Sequence, residues 1–430
     1  MLNLRHPSTL VTALLVTLVL GCGGTSSNTS SRNDGRTTLR SNLERDQAPA
    51  ISDTDFETYI DGHYDFTVAL YRSLELENSN TLISPFSIHT AFGLLHAGAA
   101  GATEAEIESA LRYNLQGSDV YPALNKFSLE LESRNWPGNE DKDPVELSIV
   151  NTFWGQQGLD WKETYLDRIA LHYGAGIETL NFAELPDESR LVINNHVADS
   201  TRDRIKDLLP PGAINSGTVA VLTNALFFKA PWAVAFDTYS TSSQSFTNLD
   251  GTTSDIELMY QMEWAGYYED EELQALELDY ANYELSMVFI LPKDGQFNDV
   301  ESELSGTDLK VIVDNLRPAM GDIRLPKFTF ESDFLLNQPL ADLGMSSLFQ
   351  SADLSQMLDN ASFAVTGVFH KTFIALDEAG TEAAAATAIV VTDTAAPSSD
   401  FSFRADRPFL FMIRDKATNG LLFFGRVSEL

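Results

Sequence analysis

The sequence predicts one α+β domain over residues 51–430, and three observations point there. Stretches with helical spacing and stretches with strand character are interspersed along this length. No internal repeat and no Pro/Gly-rich linker divides it. Hydrophobic residues make up 43% of the 430-residue chain, ample for a sizeable core.

Apolar residues recur with helical spacing over 55–76, 88–97 and 102–111. They do so again over 161–172 and 190–208, the last stopped by Pro210-Pro211. Strand character falls on 147–153, 219–228, 273–278, 285–291, 323–330, 363–376 and 409–413. A last strand, 421–427, follows the turn signal Thr418-Asn419-Gly420, which predicts a terminal hairpin.

Before this domain, Arg5 and His6 precede an apolar run over 10–20, too short to span a membrane. The run ends in Val19-Leu20-Gly21-Cys22, so residues 1–21 have the layout of a signal peptide. Residues 22–50 are rich in Gly, Ser, Thr, Asn and Arg, with little to bury, and read as a flexible tether.

Composition narrows the function. A net charge of −34 argues against a nucleic-acid partner, which needs clustered Lys and Arg, and against electrostatic adhesion to anionic lipid. Cys22 is the single cysteine, so neither an intrachain disulfide nor a cysteine metal cluster is possible. The chain lacks a Gly-x-Ser-x-Gly elbow, a His-Glu-x-x-His pair and a phosphate-cradling glycine loop, and its seven histidines are scattered. No catalytic residue and no cofactor or metal is expected.

Residues 378–394 are unusual. Gly380 supplies a pivot, and Ala383, Ala384, Ala385 and Ala386 supply low bulk. Ile389, Val390, Val391 and Thr392 supply strand preference, and the first proline comes only at Pro397. Composition alone allows either a segment able to enter a sheet or a short Ala-rich helical turn.

The surrounding blocks favour the first reading. Over about residues 55–430 a series of blocks carries a resemblance to one known family. The resemblance rests on Ser84-Pro85-Phe86-Ser87-Ile88, Gly98-Ala99-Ala100-Gly101-Ala102-Thr103 and Thr223-Asn224-Ala225-Leu226-Phe227-Phe228-Lys229 through Trp232. It continues in Leu325-Pro326-Lys327-Phe328, Glu378-Ala379-Gly380-Thr381-Glu382, Arg407-Pro408-Phe409 and Leu421-Leu422-Phe423-Phe424-Gly425. Many blocks in one order are far more specific than any single one, and together these resemble the serpin family.

The resemblance implies a large central, mostly antiparallel sheet, two smaller sheets, surrounding helices and an exposed reactive loop. It implies irreversible suicide-substrate inhibition of a serine endopeptidase, with a covalent acyl complex as the partner state. An Asp-cleaving or cysteine protease target, or a non-inhibitory binding role, are the alternatives. Residues 378–387 match an inhibitory hinge: Glu378, Gly380, Thr381, Glu382, Ala383, Ala384, Ala385, Ala386 and Thr387. The reactive bond then falls at Thr394-Ala395, with Asp393-Thr394 as the alternative. The first suits an elastase-like or subtilisin-like protease; no basic residue in the window invites a trypsin-like one.

By position, Ser84, Ser87, Asn194 and His370 match the family's shutter, and Trp232, Lys327 and Glu378 its breach, with Lys327 and Glu378 expected to pair. Departures are His196 for a usual Trp, Ala230 for Gly, Ala379 at a position that often carries a charge, and Arg407 for His. The Cys22 context resembles a bacterial lipobox, implying an exported monomer acylated at Cys22 and anchored by lipid to the cell envelope, or an extracellular protein. Strand side chains alternate between faces. With Thr381 inward, Ala383, Ala385, Thr387, Ile389 and Val391 share its face, and Glu382 falls on the other.

Overall fold

The computed structural model describes residues 28–32, 34–359, 362–363, 365–382 and 398–430. In chain order it begins with a hairpin, β1 (Asn28–Ser31) and β2 (Thr37–Arg40), then α1 (Asp53–Ser73), β3 (Thr81–Ile83), α2 (Pro85–His96), α3 (Gly101–Ala110) and α4 (Val120–Glu132). Next come β4 (Glu146–Gln156), α5 (Glu163–Tyr173), β5 (Ile177–Leu180), α6 (Pro186–Ser200) and β6 (Ala220–Pro231). They are followed by β7 (Ser242–Thr247), β8 (Thr253–Glu269), β9 (Leu273–Asp279), β10 (Leu285–Pro292), α7 (Phe297–Glu303) and α8 (Gly306–Asn315). Then β11 (Arg317–Pro326), β12 (Phe328–Leu335), α9 (Asn337–Asp342), β13 (Ala352–Asp353), β14 (Ser362–Phe363), β15 (Val368–Leu376) and β16 (Gly380–Thr381). The chain ends with β17 (Phe401–Arg404), β18 (Phe409–Asp415) and β19 (Leu421–Val427).

Eight strands form the main sheet, in the order β1-β2-β5-β4-β6-β16-β15-β12, with a further direct pairing of β6 to β15. All its pairs are antiparallel except β4–β5 and β6–β15. A second sheet runs β17-β11-β8-β9-β10-β18-β19-β3, with β7 alongside β8. The two smaller sheets implied by the resemblance are thus continuous, because the long strand β8 pairs with β7 and β11 along most of its length and with β9 at its end. A two-stranded ladder, β13–β14, stands apart.

Local chemistry sets the helix ends. Ser52 caps α1 by accepting from the Asp55 N–H, and Ser84 caps α2 ahead of Pro85 at its first turn. Ser305 and Asp308 form a reciprocal capping box on α8. Helix α6 stops at Ser200, short of the expected 208, because Arg202, Asp203 and Asp207 turn to positive φ.

Two cores result. The larger lies between the sheets and takes Leu222, Leu226, Phe228 and Ala230 from β6 and Val368, Ile374 and Leu376 from β15. The smaller lies under α6 on the opposite face of the main sheet, where Val221 and Ala225 meet Trp154, Ile193 and Val197. Along β6 and β15, even-numbered residues therefore face the main core.

Part of the stretch expected as a tether over 22–50 is strand instead. Asn28–Ser31 and Thr37–Arg40 join the sheet: β1 pairs with β2, β2 pairs with β5, and Thr38 Oγ1 donates to Glu178. Four residues rich in threonine suffice, because the edge strand β5 offers unpaired backbone groups. Cys22 lies outside the described residues.

Candidate functional site

The centre of the main sheet is partly open. β6 and β15 pair directly, in parallel, only where Leu222, Thr223 and Asn224 meet Val368, Phe369 and His370. At the other end β16 lies between them, with Thr381 opposite both Leu376 and Ala230. Between these points, residues 225–229 and 371–375 have no direct pairing with one another among the described residues. A slot one strand wide is thereby begun at one end and closed at the other.

The hinge enters the slot through a tight turn. The Asp377 N–H donates to Gly380 O, while Asp377 Oδ1 accepts from the N–H groups of Ala379 and Gly380. Burial raises the Asp377 pKa against those bonds. Gly380 has φ +150°, and a Cβ there would lie 2.2 Å from the Ala230 carbonyl oxygen, so only glycine fits. Thr381 is 2% exposed and its hydroxyl lies 2.7 Å from the Tyr280 hydroxyl. Glu382 donates its N–H to Ala375 O and has φ +54°. Ala383, Ala384, Ala385, Ala386, Thr387 and the bonds at Asp393, Thr394 and Ala395 lie outside the described residues.

Around the open end, Trp232 stacks on Tyr280 with ring centroids 4.8 Å apart and donates Nε1–H to Asp377 O. Its backbone N–H donates to Ala379 O. Glu378 is 7% exposed; Lys327 Nζ lies 3.0 Å from its carboxylate and Thr241 donates to it at 2.7 Å. Burial opposes ionisation, but the Thr241 bond and the Lys327 charge hold the Glu378 pKa below the usual value. Trp232, Lys327 and Glu378 are thus brought together, joined by Tyr280 and Thr241.

At the closed end, the Ser84 N–H donates to His370 Nε2 at 3.0 Å, and Ser84 Oγ donates to Leu422 O. His370 must therefore carry its proton on Nδ1, and burial lowers its pKa to about 4. The Ser87 N–H reaches Ser84 Oγ, and Asn224 donates to Ser87 O at 2.6 Å and to Asn151 Oδ1. Asn194 is not in this cluster. It sits on α6, across the sheet, and exchanges two hydrogen bonds with the Leu209 backbone. Asn224 takes the place that position alone assigned to Asn194. The signal was available: Asn224 lies at an inward-facing position of β6 otherwise filled by apolar side chains.

His196, the departure on α6, lies 3.2 Å from Arg36 and 3.3 Å from Thr152, so a polar contact to the β1–β2 hairpin stands where an indole was expected. Among the described residues one group has metal-ligand spacing: His96, Glu104 and Glu108, whose ligand atoms lie within 4.8 Å. His96 Nε2 and the Gly117 N–H already engage Glu108. No described helix is long and apolar enough to cross a membrane.

This geometry stands beside three comparisons. The family model for Serpin (serine protease inhibitor) matches residues 61–430. An uncharacterised serpin-like protein of Thermococcus kodakarensis is 34% identical over 99% of both chains. The leukocyte elastase inhibitor of Xenopus tropicalis is 33% identical, over 85% of this chain and 97% of that one. Among solved structures, the thermophilic serpin tengpin in its native state matches with a TM-score of 0.79 and 29% identity, covering 90% of this chain and 98% of that one.

Proposed function

The chain belongs to the serpin family, and we propose that it is a single-use inhibitor of serine endopeptidases that traps its target by taking up its own cut loop as a strand. The observation that carries this reading is the slot between β6 and β15, already entered by Gly380 and Thr381.

A serine protease cutting within residues 383–397 forms an acyl-enzyme with the hinge side of the loop. If that side enters the slot before water attacks, the tethered protease is dragged away and its oxyanion hole and triad lose register. Those groups stabilise the transition state only in their correct geometry, so the acyl bond persists. Entry of a segment into a sheet is strand addition driven as a switch.

The register of this strand follows from its first residues. Thr381 lies opposite Leu376 and Ala230. Continued antiparallel, Glu382 meets Ala375 and Lys229, Ala383 meets Ile374 and Phe228, Thr387 meets His370 and Asn224, and Ile389 meets Val368 and Leu222. The last two sets are residues that face one another directly in the intact sheet, so one continuous register threads the slot and splits its closed end. The inward set, Thr381, Ala383, Ala385, Thr387, Ile389 and Val391, is small, β-branched and uncharged. Burying Ile389 and Val391 contributes about 1.5–3 kcal/mol each, and about a dozen new ladder bonds roughly 1 kcal/mol each. The intact fold is then held kinetically rather than at its most stable state.

Cleavage at Thr394-Ala395 by an elastase-like or subtilisin-like protease is the specificity we propose, supported by the small side chains there. We place the protein outside the cytoplasm on a lipid anchor at Cys22; Cys22→Ser should move it from the envelope to the soluble exported fraction. The direct test is incubation with elastase-like, subtilisin-like and Asp-specific proteases. An SDS-resistant adduct carrying the hinge fragment is expected, and clean turnover of the loop by all three contradicts the reading.

A further inference from the structure

Glu382 is the one charged residue in the segment that would enter the sheet, and the intact fold treats it specially. Its side chain is only 4% exposed, although it stands at the mouth of the slot. Arg204, on the segment after α6, donates Nε–H to Glu382 Oε2 at 3.3 Å, and the same guanidinium lies 5.4 Å from the Phe373 ring of β15. Arg204 therefore bridges the α6 side of the slot to the β15 side through the hinge itself. The backbone of Glu382 is left-handed, a conformation that cannot continue a strand. Burial raises its pKa, and Arg204, Lys229 and Arg202 act against that rise in this order.

Lys229 has a different relation to Glu382. It is an outward-facing residue of β6, 15% exposed in its side chain, and its present partner is Asp143 at a loose 3.5 Å. Arg202, the third nearby cation, is already taken by Glu146. In the register fixed by Gly380 opposite Pro231 and Thr381 opposite Ala230, the next pair is Glu382 opposite Lys229. Opposite charges directly across a ladder attract.

We propose that Glu382 is a two-position charge latch: Arg204 holds its carboxylate at the slot mouth while the loop is intact, and Lys229 receives it when the strand enters. Arg204 and Lys229 are thus positioning residues for opposite ends of one movement. Releasing Glu382 from Arg204 frees its backbone to leave the left-handed region, the first step that entry requires. Capture by Lys229 then completes the outward face of the new strand at its first turn-free residue. This inference rests on the insertion reading and adds to it the residues that time its first step.

The test compares melting of the intact protein with that of protein nicked in the loop by a metalloprotease, which forms no acyl-enzyme to be trapped, for wild type, Arg204→Ala, Arg204→Lys, Lys229→Ala and the exchange Lys229→Glu with Glu382→Lys. Arg204→Ala should lower the intact form by about 1–2 °C and leave the nicked form unchanged, with Arg204→Lys intermediate. Lys229→Ala should do the reverse, lowering the nicked form more than the intact one, which loses only the loose Asp143 pair and a distant attraction to Glu382. The exchange should melt like wild type once nicked, because the pair across the ladder keeps its opposite charges with the two sides swapped. Before nicking it should melt lower, because an ammonium at position 382 then faces the Arg204 guanidinium. Equal shifts of intact and nicked forms in both single variants overturn the latch while leaving insertion standing. No rise in melting on nicking the wild type removes the insertion reading, and the latch with it.

Discussion

Thr381→Arg probes the slot at the point where the intact and cut states share a residue. Thr381 is buried between Ala230 and Leu376, with its hydroxyl on Tyr280 and the Trp232–Tyr280 stack beside it. Among the described residues the Thr381 side chain bonds to the Tyr280 hydroxyl rather than to a carboxylate, and burying an unpaired arginine there costs several kcal/mol. Leaving the sheet is cheaper. β16 is two residues long, and giving up its ladder bonds and the Tyr280 contact costs about 3 kcal/mol at roughly 1 kcal/mol per bond. For a domain of this size that lowers the melting temperature by about 4 °C. The intact variant should therefore fold, melt slightly lower, and expose its hinge. Every route to insertion still has to pass residue 381 into the sheet, so the cut variant should gain no stability and the protease should go free. The assay is the stoichiometry of SDS-resistant adduct per loop cleaved, with melting of both forms. A variant that forms adduct at the wild-type stoichiometry refutes the alternation argument.

Four further outcomes follow from named contacts. Burial lowers His370 and His63 to a pKa of about 4. A histidine whose folded pKa lies below its unfolded value of about 6.5 gives its full stabilisation above pH 6.5, which is lost as pH falls towards 4. About 3 kcal/mol per histidine is at stake, so melting should drop across that window and less steeply in His370→Gln; a flat profile contradicts the assigned burial. Gly380→Ala should place a Cβ against the Ala230 carbonyl, and hydrogen exchange should show residues 380–382 released from the sheet in the intact form. Asn224→Ala should remove the bonds to Ser87 and Asn151 and destabilise the intact form by about 1–3 kcal/mol. Asn194→Ala should instead loosen the 201–209 segment, read by exchange at Leu209, without altering the closed end of the slot.

What the sequence made legible was whatever a period or a turn residue encodes. Apolar spacing located α1, α2, α3 and α5 to within a few residues, and the terminal hairpin β18–β19 lies where Asn419-Gly420 signals it. Strand β8 escaped because its residues are half-buried and mixed in polarity over much of its length, so no clean alternation betrays it. The stretch 323–330 read as one strand but divides at Lys327 into β11 and β12, which belong to different sheets. A continuous apolar pattern cannot report that its halves pair with different neighbours.

The site divides along the same line. Gly380 was visible as a pivot, since backbone freedom is a property of a single residue; the alanine run lies outside the described residues. Tyr280 was not, because its role exists only through the fold, which carries it from the end of β9 to the Thr381 hydroxyl. Asn194 and Asn224 show the limit most directly. Both are buried asparagines, and only sheet parity distinguishes the one facing the slot's inner side from the one on the helix above it.

Backbone hydrogen exchange of β6 and β15, compared before and after the loop is cut, examines the proposed movement itself. Amides within 225–229 and 371–375 that point into the slot should exchange readily in the intact protein and become protected once the chain is nicked, as Ala383 to Ile389 fill the space. Unchanged exchange there, with the freed segment still exchanging as solvent-exposed chain, would mean that the slot never receives a strand.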